Sequence, residues 1–162
     1  MIAAIDTNVL LDVLLKDQKF HTKSRKTLEE LSEEGFFIIS PEVYTELLAA
    51  FSQDFENPGE QLDSFLDDKS ISMENHDRDS LRIAGEKWRE YDASQDVRCA
   101  SCGEARRVEC EECGGKISWR NHVITDFMIG GHAQHHADIL VTRDRGYFGK
   151  YFDVEINDPG DG

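Results

Sequence analysis

The chain has no uninterrupted apolar run of the length a membrane-spanning helix needs, roughly 18 residues. Its first residues, Met1-Ile2-Ala3-Ala4-Ile5-Asp6, carry no basic stretch and no small-residue cleavage site, so they do not read as a secretory leader. These two absences set a cytoplasmic protein as the expectation, with no membrane partner. Positive charge is also scarce. Eighteen Lys and Arg stand against 33 Asp and Glu, a formal net charge of −15. Such a surface is poorly suited to gripping a polyanion by charge alone. It suits a high-salt cytoplasm better, where the Debye length shrinks to about 3 Å near 1 M salt. Internal repeats and low-complexity tracts are absent. Hydrophobic residues still make up 39% of the 162, enough for one folded domain with a full core and a small insertion.

Short apolar runs alternate with helical spacing along the chain. Ile2–Ile5 reads as a buried strand that ends on Asp6, followed by a short helix from Val9 to Leu15. A helix over 22–34 follows, with Gly35 as its C-cap. Phe36–Ile39 is a second strand, and Pro41 opens a helix carrying Val43, Glu46 and Leu47. Further helices are expected over 60–67, 77–91 and 121–136, and further strands over 70–73, 138–142 and 154–156. Buried strands alternating with helices imply a parallel sheet covered on both faces, an α/β fold. The tail from Asp158 is expected to be flexible.

Sites in open α/β sheets form outside the carboxyl ends of the strands. Asp6 ends the first strand, and Asp144 follows the strand Ile139-Leu140-Val141-Thr142. Glu46 and Asp126 lie on helices among apolar neighbours, where an acid is costly unless something positive meets it. Mg²⁺ or Mn²⁺, hard cations that favour oxygen ligands, answer that need and assist phosphodiester hydrolysis. For each acid alone the plainer reading stands beside this one. Asp6 caps the following helix, and Asp144 begins a turn.

Ile5-Asp6-Thr7-Asn8-Val9-Leu10-Leu11-Asp12 resembles the opening motif of PIN-domain nucleases, among them the VapC toxins of toxin–antitoxin pairs. Tyr44-Thr45-Glu46-Leu47, Ile124-Thr125-Asp126-Phe127-Met128-Ile129 and Leu140-Val141-Thr142-Arg143-Asp144-Arg145-Gly146-Tyr147-Phe148 resemble the three motifs that follow in that family, in order. The resemblance covers 1–92 and 120–157. It implies a three-layer α/β/α fold with a five-stranded parallel sheet, and a metal-dependent endoribonuclease acting on RNA. It places the metal-binding, catalytic acids at Asp6, Glu46, Asp126 and Asp144, with Asn8 and Thr142 orienting them. Some members carry another acid shortly after the fourth motif's Asp. Gly146 and Tyr147 stand there in this chain.

The segment 93–119 breaks the α/β rhythm and holds all four cysteines, Cys99-x-x-Cys102 and Cys110-x-x-Cys113, with Gly103 and Gly114 after the pairs. Two such knuckles, seven residues apart, read as one tetrahedral structural Zn²⁺ site in a small inserted ribbon, rather than as disulfides or a redox pair. From Arg98 to Arg120 five basic side chains face four acidic ones, a relatively basic patch within an acidic chain. Arg106 and Arg107 there, and Arg143 and Arg145 beside Asp144, are candidates for touching substrate phosphates. For the latter two, ion-pairing to the acids is the alternative. Asp12 and Asp138 read as structural. His132 and His136 have metal-capable i, i+4 spacing, but no Glu lies between them. Their default reading is a packing or solvated role.

Two functional classes remain. One is an endoribonuclease, either the toxin of a pair with an antitoxin partner or an RNA-processing enzyme with a protein partner. The other is a non-catalytic RNA- or protein-binding module. A second copy of the chain is a further candidate partner. A haloacid-dehalogenase phosphatase also begins strand–Asp but needs a second Asp two residues on, where this chain has Asn8.

Overall fold

The computed structural model describes residues 1–50, 56–92, 97–98, 105–106, 108–109, 111–114, 116–117 and 124–161. The order of elements is β1 (Ile2–Ile5), α1 (Thr7–Leu14), α2 (His21–Ser32), β2 (Phe36–Ile39), α3 (Pro41–Ala50), α4 (Pro58–Asp68), β3 (Ile71–Met73) and α5 (Arg78–Asp92). Four two-residue strands follow: β4 (Val97–Arg98), β5 (Ala105–Arg106), β6 (Val108–Glu109) and β7 (Lys116–Ile117). Then come α6 (Ile124–His136), β8 (Ile139–Val141), α7 (Arg145–Tyr151) and β9 (Glu155–Asn157).

The main sheet has five strands in the order β3-β2-β1-β8-β9, and every adjacent pair is parallel. The chain winds outward from β1 through β2 to β3. It then crosses over to place β8 on the other side of β1, with β9 beyond it. The sheet therefore reverses direction of winding between β1 and β8, the position where open α/β sheets leave a crevice at their carboxyl edge. β8 is buried throughout, and β1 and β2 after their first residues. Apolar runs such as Ile139-Leu140-Val141 are what strands covered on both faces require.

The sheet, its parallel sense and the first six helices of the α/β framework match the sequence expectation to within a few residues. Three details differ. Gly35 does not terminate a helix in a left-handed turn; it presses against the N-terminal residue, where a Cβ would stand 1.8 Å from the Met1 carbonyl oxygen. α7 was not foreseen, because Gly146 and Gly149 mask the buried pair Tyr147 and Phe148. The tail from Asp158 includes a 3₁₀ turn, Pro159–Asp161, and the Gly160 carbonyl accepts from Lys23 Nζ at 3.1 Å.

Helix α6 is fixed by one side chain above all. Phe127 is fully buried, and the rings of Trp88, Tyr147, Tyr91, Tyr151 and Phe152 surround it with centroids 5.1–6.0 Å away. Close approach of α5 and α6 depends on Gly131, whose added Cβ would meet the Ser80 carbonyl oxygen at 2.7 Å. No helix among the described residues is long and apolar enough to cross a membrane.

Candidate active site

Parallel register builds the centre of the site. Ile5 pairs with Val141, so the next residues, Asp6 and Thr142, leave their strands side by side. The Asp6 amide still donates to the Val141 carbonyl at 3.0 Å. Beyond that bond the two side chains meet, and the Thr142 hydroxyl donates to Asp6 Oδ2 at 2.7 Å.

Asp6 also caps α1. Its Oδ1 accepts from the Thr7 amide at 2.8 Å, and its Oδ2 takes a second bond from Asn8 Nδ2 at 2.5 Å. The carboxylate is thus held by three neutral donors while it lies buried at 6% exposure. Burial pushes its pKa up from 3.8 to about 6. Bonds from Thr142 and Thr7 oppose that rise, and the nearby charges of Glu46 and Asp126 add to it.

The other three acids come from three different elements. Glu46 stands on α3 between the core residues Val43 and Leu47, and the Thr7 hydroxyl donates to its Oε2. Asp126 lies in the first turn of α6, where the helix dipole favours negative charge, next to the buried Phe127. Asp144 caps α7; its Oδ1 accepts from the Tyr147 amide at 3.3 Å, and its own amide donates to Thr142 Oγ1 at 3.0 Å. Tyr147 lies within the field of both Asp126 and Asp144. Burial first, then Asp126, and then Tyr91, Tyr151 and Asp144 raise its pKa. Glu46 and Asp126 therefore act on Asp6, Asp126 and Asp144 act on Tyr147, and one threonine links Asp6 with Asp144. The plainer reading of Asp6 as a helix cap is correct, and Asp144, read as the start of a turn, caps the short helix α7; each cap uses one oxygen of its carboxylate.

Asn8 and Thr142 sit as supports among these acids. Asn8 Nδ2 reaches Thr142 Oγ1 at 3.3 Å, and its Oδ1 accepts from the Arg143 amide at 3.2 Å. Thr7 is the support that sequence reasoning missed. Its position immediately after the capping acid was the available signal. Arg143 turns away from the acids. Its Nη2 donates to Asp12 Oδ1 at 3.1 Å, its Nε lies 3.0 Å from Asp12 Oδ2, and its guanidinium covers the Phe20 ring at 4.2 Å. Asp12 is buried and takes a further bond from the Ser24 hydroxyl at 2.7 Å. Arg145 is exposed and stands 3.9 Å from Asp158. Arg106 lies on β5, whereas Arg107, Cys99, Cys102 and Cys110 fall outside the described residues; Cys113 is an exposed free thiol.

The donor set at this edge consists of carboxylates and hydroxyls, all hard oxygens, with a desolvated carboxylate at its centre. That composition fits Mg²⁺ or Mn²⁺. Among the described residues, the three-ligand cluster whose atoms already stand within 4.8 Å of one another is elsewhere: Asp77, His135 and His136.

The sequence matches the family model described as the PIN domain over residues 3–152. None of the curated proteins matches the chain. Among solved structures, the chain is similar to VapBC2 from Rickettsia felis, in a structure bound to a DNA fragment from the promoter, at 20% identity and TM-score 0.65, with 98% of each chain covered. It is also similar to VapBC-1 from nontypeable Haemophilus influenzae (17% identity, 99% of each chain, TM-score 0.66) and to FitAcB from Neisseria gonorrhoeae (18%, 99% of each, TM-score 0.60). At these identities the structures speak for the fold. The family match spans nearly the whole chain, and the strand order, the carboxyl-edge acids and that match agree: this chain belongs to the PIN domain family.

Proposed function

We propose that the chain is a metal-dependent endoribonuclease, with Asp6, Glu46, Asp126 and Asp144 holding Mg²⁺ or Mn²⁺. The observation that carries this reading is Asp6. A carboxylate held at the sheet edge in a desolvated place, with two more acids raising its pKa, is a poor stabilising device and a good cation ligand. A divalent cation bound there supplies Lewis acidity toward a phosphoryl oxygen and offsets negative charge that develops in the transition state. The protein's own part is positioning. Thr142 and Asn8 fix the Asp6 carboxylate, Thr7 turns Glu46 inward, and the α7 cap orients Asp144. Membership of a family whose domains are generally metal-dependent nucleases supports the same reading.

Within that activity, a toxin with an antitoxin partner is supported by the structural neighbours, which are toxin–antitoxin assemblies of the VapBC and FitAB type. RNA processing is the second reading, and the cysteine-bearing insertion favours it. Each Cys-x-x-Cys pair falls in the connection of an antiparallel strand pair, β4–β5 and β6–β7. That order in the chain suits one Zn²⁺ held by Cys99, Cys102, Cys110 and Cys113, with Arg106 and Arg107 between the two pairs in sequence for RNA. The bounds of this ribbon are 93–119, inserted between the PIN segments 1–92 and 120–157. Arg145 remains a candidate for phosphate contact. Arg143, tied to Asp12, instead braces α1 against the loop after β8.

The test is cleavage of single-stranded RNA with Mg²⁺ or Mn²⁺ by the wild type and by Asp6→Asn. Metal-dependent cleavage lost in the variant is expected. A wild type that binds RNA without cutting it under either ion assigns the chain to the non-catalytic class.

A further inference from the structure

The end of α6 opposite Asp126 carries a second group of ligating side chains. His132, His135 and His136 occupy its last two turns, and Asp77 faces them from the start of α5. Asp77 is oriented by its backbone role. Its Oδ1 accepts from the amides of Ser80 and Asp79 at 2.8 and 3.0 Å, which caps α5 and leaves Oδ2 directed at His135 Nε2, 2.8 Å away. His136 adjoins His135 with ring centroids 4.7 Å apart and planes at 84°. Asp77, His135 and His136 each offer a ligand atom, and these atoms lie within 4.8 Å of one another.

The neighbouring histidines are already committed elsewhere. His132 Nε2 is engaged by the Glu74 carbonyl at 2.9 Å. His76 is held between Glu42, 2.7 Å from its Nε2, and the Ser80 hydroxyl, 3.2 Å from its Nδ1. His136 differs from both. Its Nε2 is buried with no hydrogen-bond partner, a position that costs on the order of 1–3 kcal/mol unless something fills it.

We propose that Asp77, His135 and His136 form a binding site for a borderline divalent transition metal such as Zn²⁺, separate from the acidic edge. Two imidazoles and one carboxylate are a donor set that such ions accept readily and that Mg²⁺ does not favour. Zn–N distances of about 2.0–2.1 Å put tetrahedral ligands roughly 3.4 Å apart, so the side chains close by about 1.4 Å at most. Asp77 and His135 are exposed, which permits that rotation and leaves a fourth position for water. The last turn of a helix favours positive charge, and Asp77 brings a negative one. The site ties the loop before α5 to the far end of the helix that positions Asp126, about 14 Å along its axis at 1.5 Å per residue.

The experiment measures zinc per chain in the untagged, full-length protein equilibrated with buffered free Zn²⁺, for the wild type, Asp77→Asn and His135→Gln. Asparagine keeps an oxygen for the α5 cap and removes the carboxylate, and His135 is exposed, so both variants are expected to fold. Circular dichroism checks this. The four cysteines are unchanged throughout and contribute equally to every sample. At a free Zn²⁺ that half-fills this site in the wild type, each variant is expected to lose most of that occupancy, with an affinity for the site at least tenfold weaker. Zinc content and binding curves that superpose on the wild type in either variant overturn the proposal and leave an Asp77–His135 ion pair.

Discussion

Replacing Asp6 with asparagine should make the metal-free protein more stable at neutral pH while abolishing its chemistry. Moving the Asp6 pKa from 3.8 to about 6 corresponds to roughly 3 kcal/mol of unfavourable ionisation at pH 7 and above. The folded state holds this proton more tightly than the unfolded chain does. Stability from the group is therefore full below about 3.8 and is lost as the pH rises to about 6. Asparagine removes that loss but does not reproduce the carboxylate. Its oxygen can still accept from the Thr7 amide, but its NH₂ then faces two donors, Asn8 Nδ2 and the Thr142 hydroxyl, of which only the hydroxyl can turn to accept. One unmade bond costs about 1–2 kcal/mol. The net gain at pH 7.5 is about 1–2 kcal/mol, or several degrees in Tm for a chain of this size. The assay is urea denaturation of both proteins in EDTA from pH 4 to 8. Other carboxylates titrate in both proteins, so the difference between them isolates Asp6. It should grow by about 1.4 kcal/mol per pH unit in the window between 3.8 and 6 and level off above it. Adding Mg²⁺ should reverse the order by stabilising the wild type alone. A difference that stays flat across that window, or a variant as responsive to Mg²⁺ as the wild type, refutes the reasoning.

Thr7→Val should weaken Mg²⁺ binding, read by calorimetry, about 10- to 100-fold, because Glu46 loses the hydroxyl that orients it. Arg143→Ala should destabilise the fold by about 3 kcal/mol in denaturant titration, since it strands the buried Asp12 carboxylate; Mg²⁺ affinity should stay near the wild-type value. Gly131→Ala should cost about 1–2 kcal/mol in the same assay, because its methyl meets the Ser80 carbonyl while gaining helix propensity. Stability should rise with KCl toward 1 M, as screening relieves repulsion within a chain of net charge −15, and a Tm unchanged by salt would remove the case for a high-salt setting.

The sequence disclosed what short-range chemistry encodes. Four-residue apolar runs such as Phe36-Phe37-Ile38-Ile39 can be little other than buried strands, and their alternation with helices forces the parallel sheet. Asp6 and Asp144 could be placed at the carboxyl edge because each directly follows such a run. Partners that depend on strand order were out of reach of local pattern, and Thr142 entered as an orienting group only through the family resemblance. That Thr142 bonds Asp6 follows from the Ile5–Val141 register, which no local pattern records. Arg143 looked like a phosphate ligand because it adjoins Asp144, yet it faces Asp12, 131 residues earlier in the chain. Likewise the i, i+4 spacing singled out His132 and His136, whereas the clustered ligand atoms belong to His135 and His136, and the carboxylate beside them comes from Asp77, just ahead of another helix.

The two ends of α6 show why such partnerships escape a linear reading and still matter. At its first turn the helix offers Asp126 to an all-oxygen edge, and at its last it offers two imidazoles to a single carboxylate. The dipole favours the acid at one end and the cation at the other, so the same helix suits opposite charge chemistry at its two ends. Phe127 and Gly131 fix its position between them, one by filling a ring of aromatic side chains and the other by having no side chain at all. A substitution at either residue therefore displaces both ends together, whereas one at His135 reaches only the second. Comparing Mg²⁺ affinity in Gly131→Ala and His135→Gln separates a helix that transmits position from one that merely carries two independent groups.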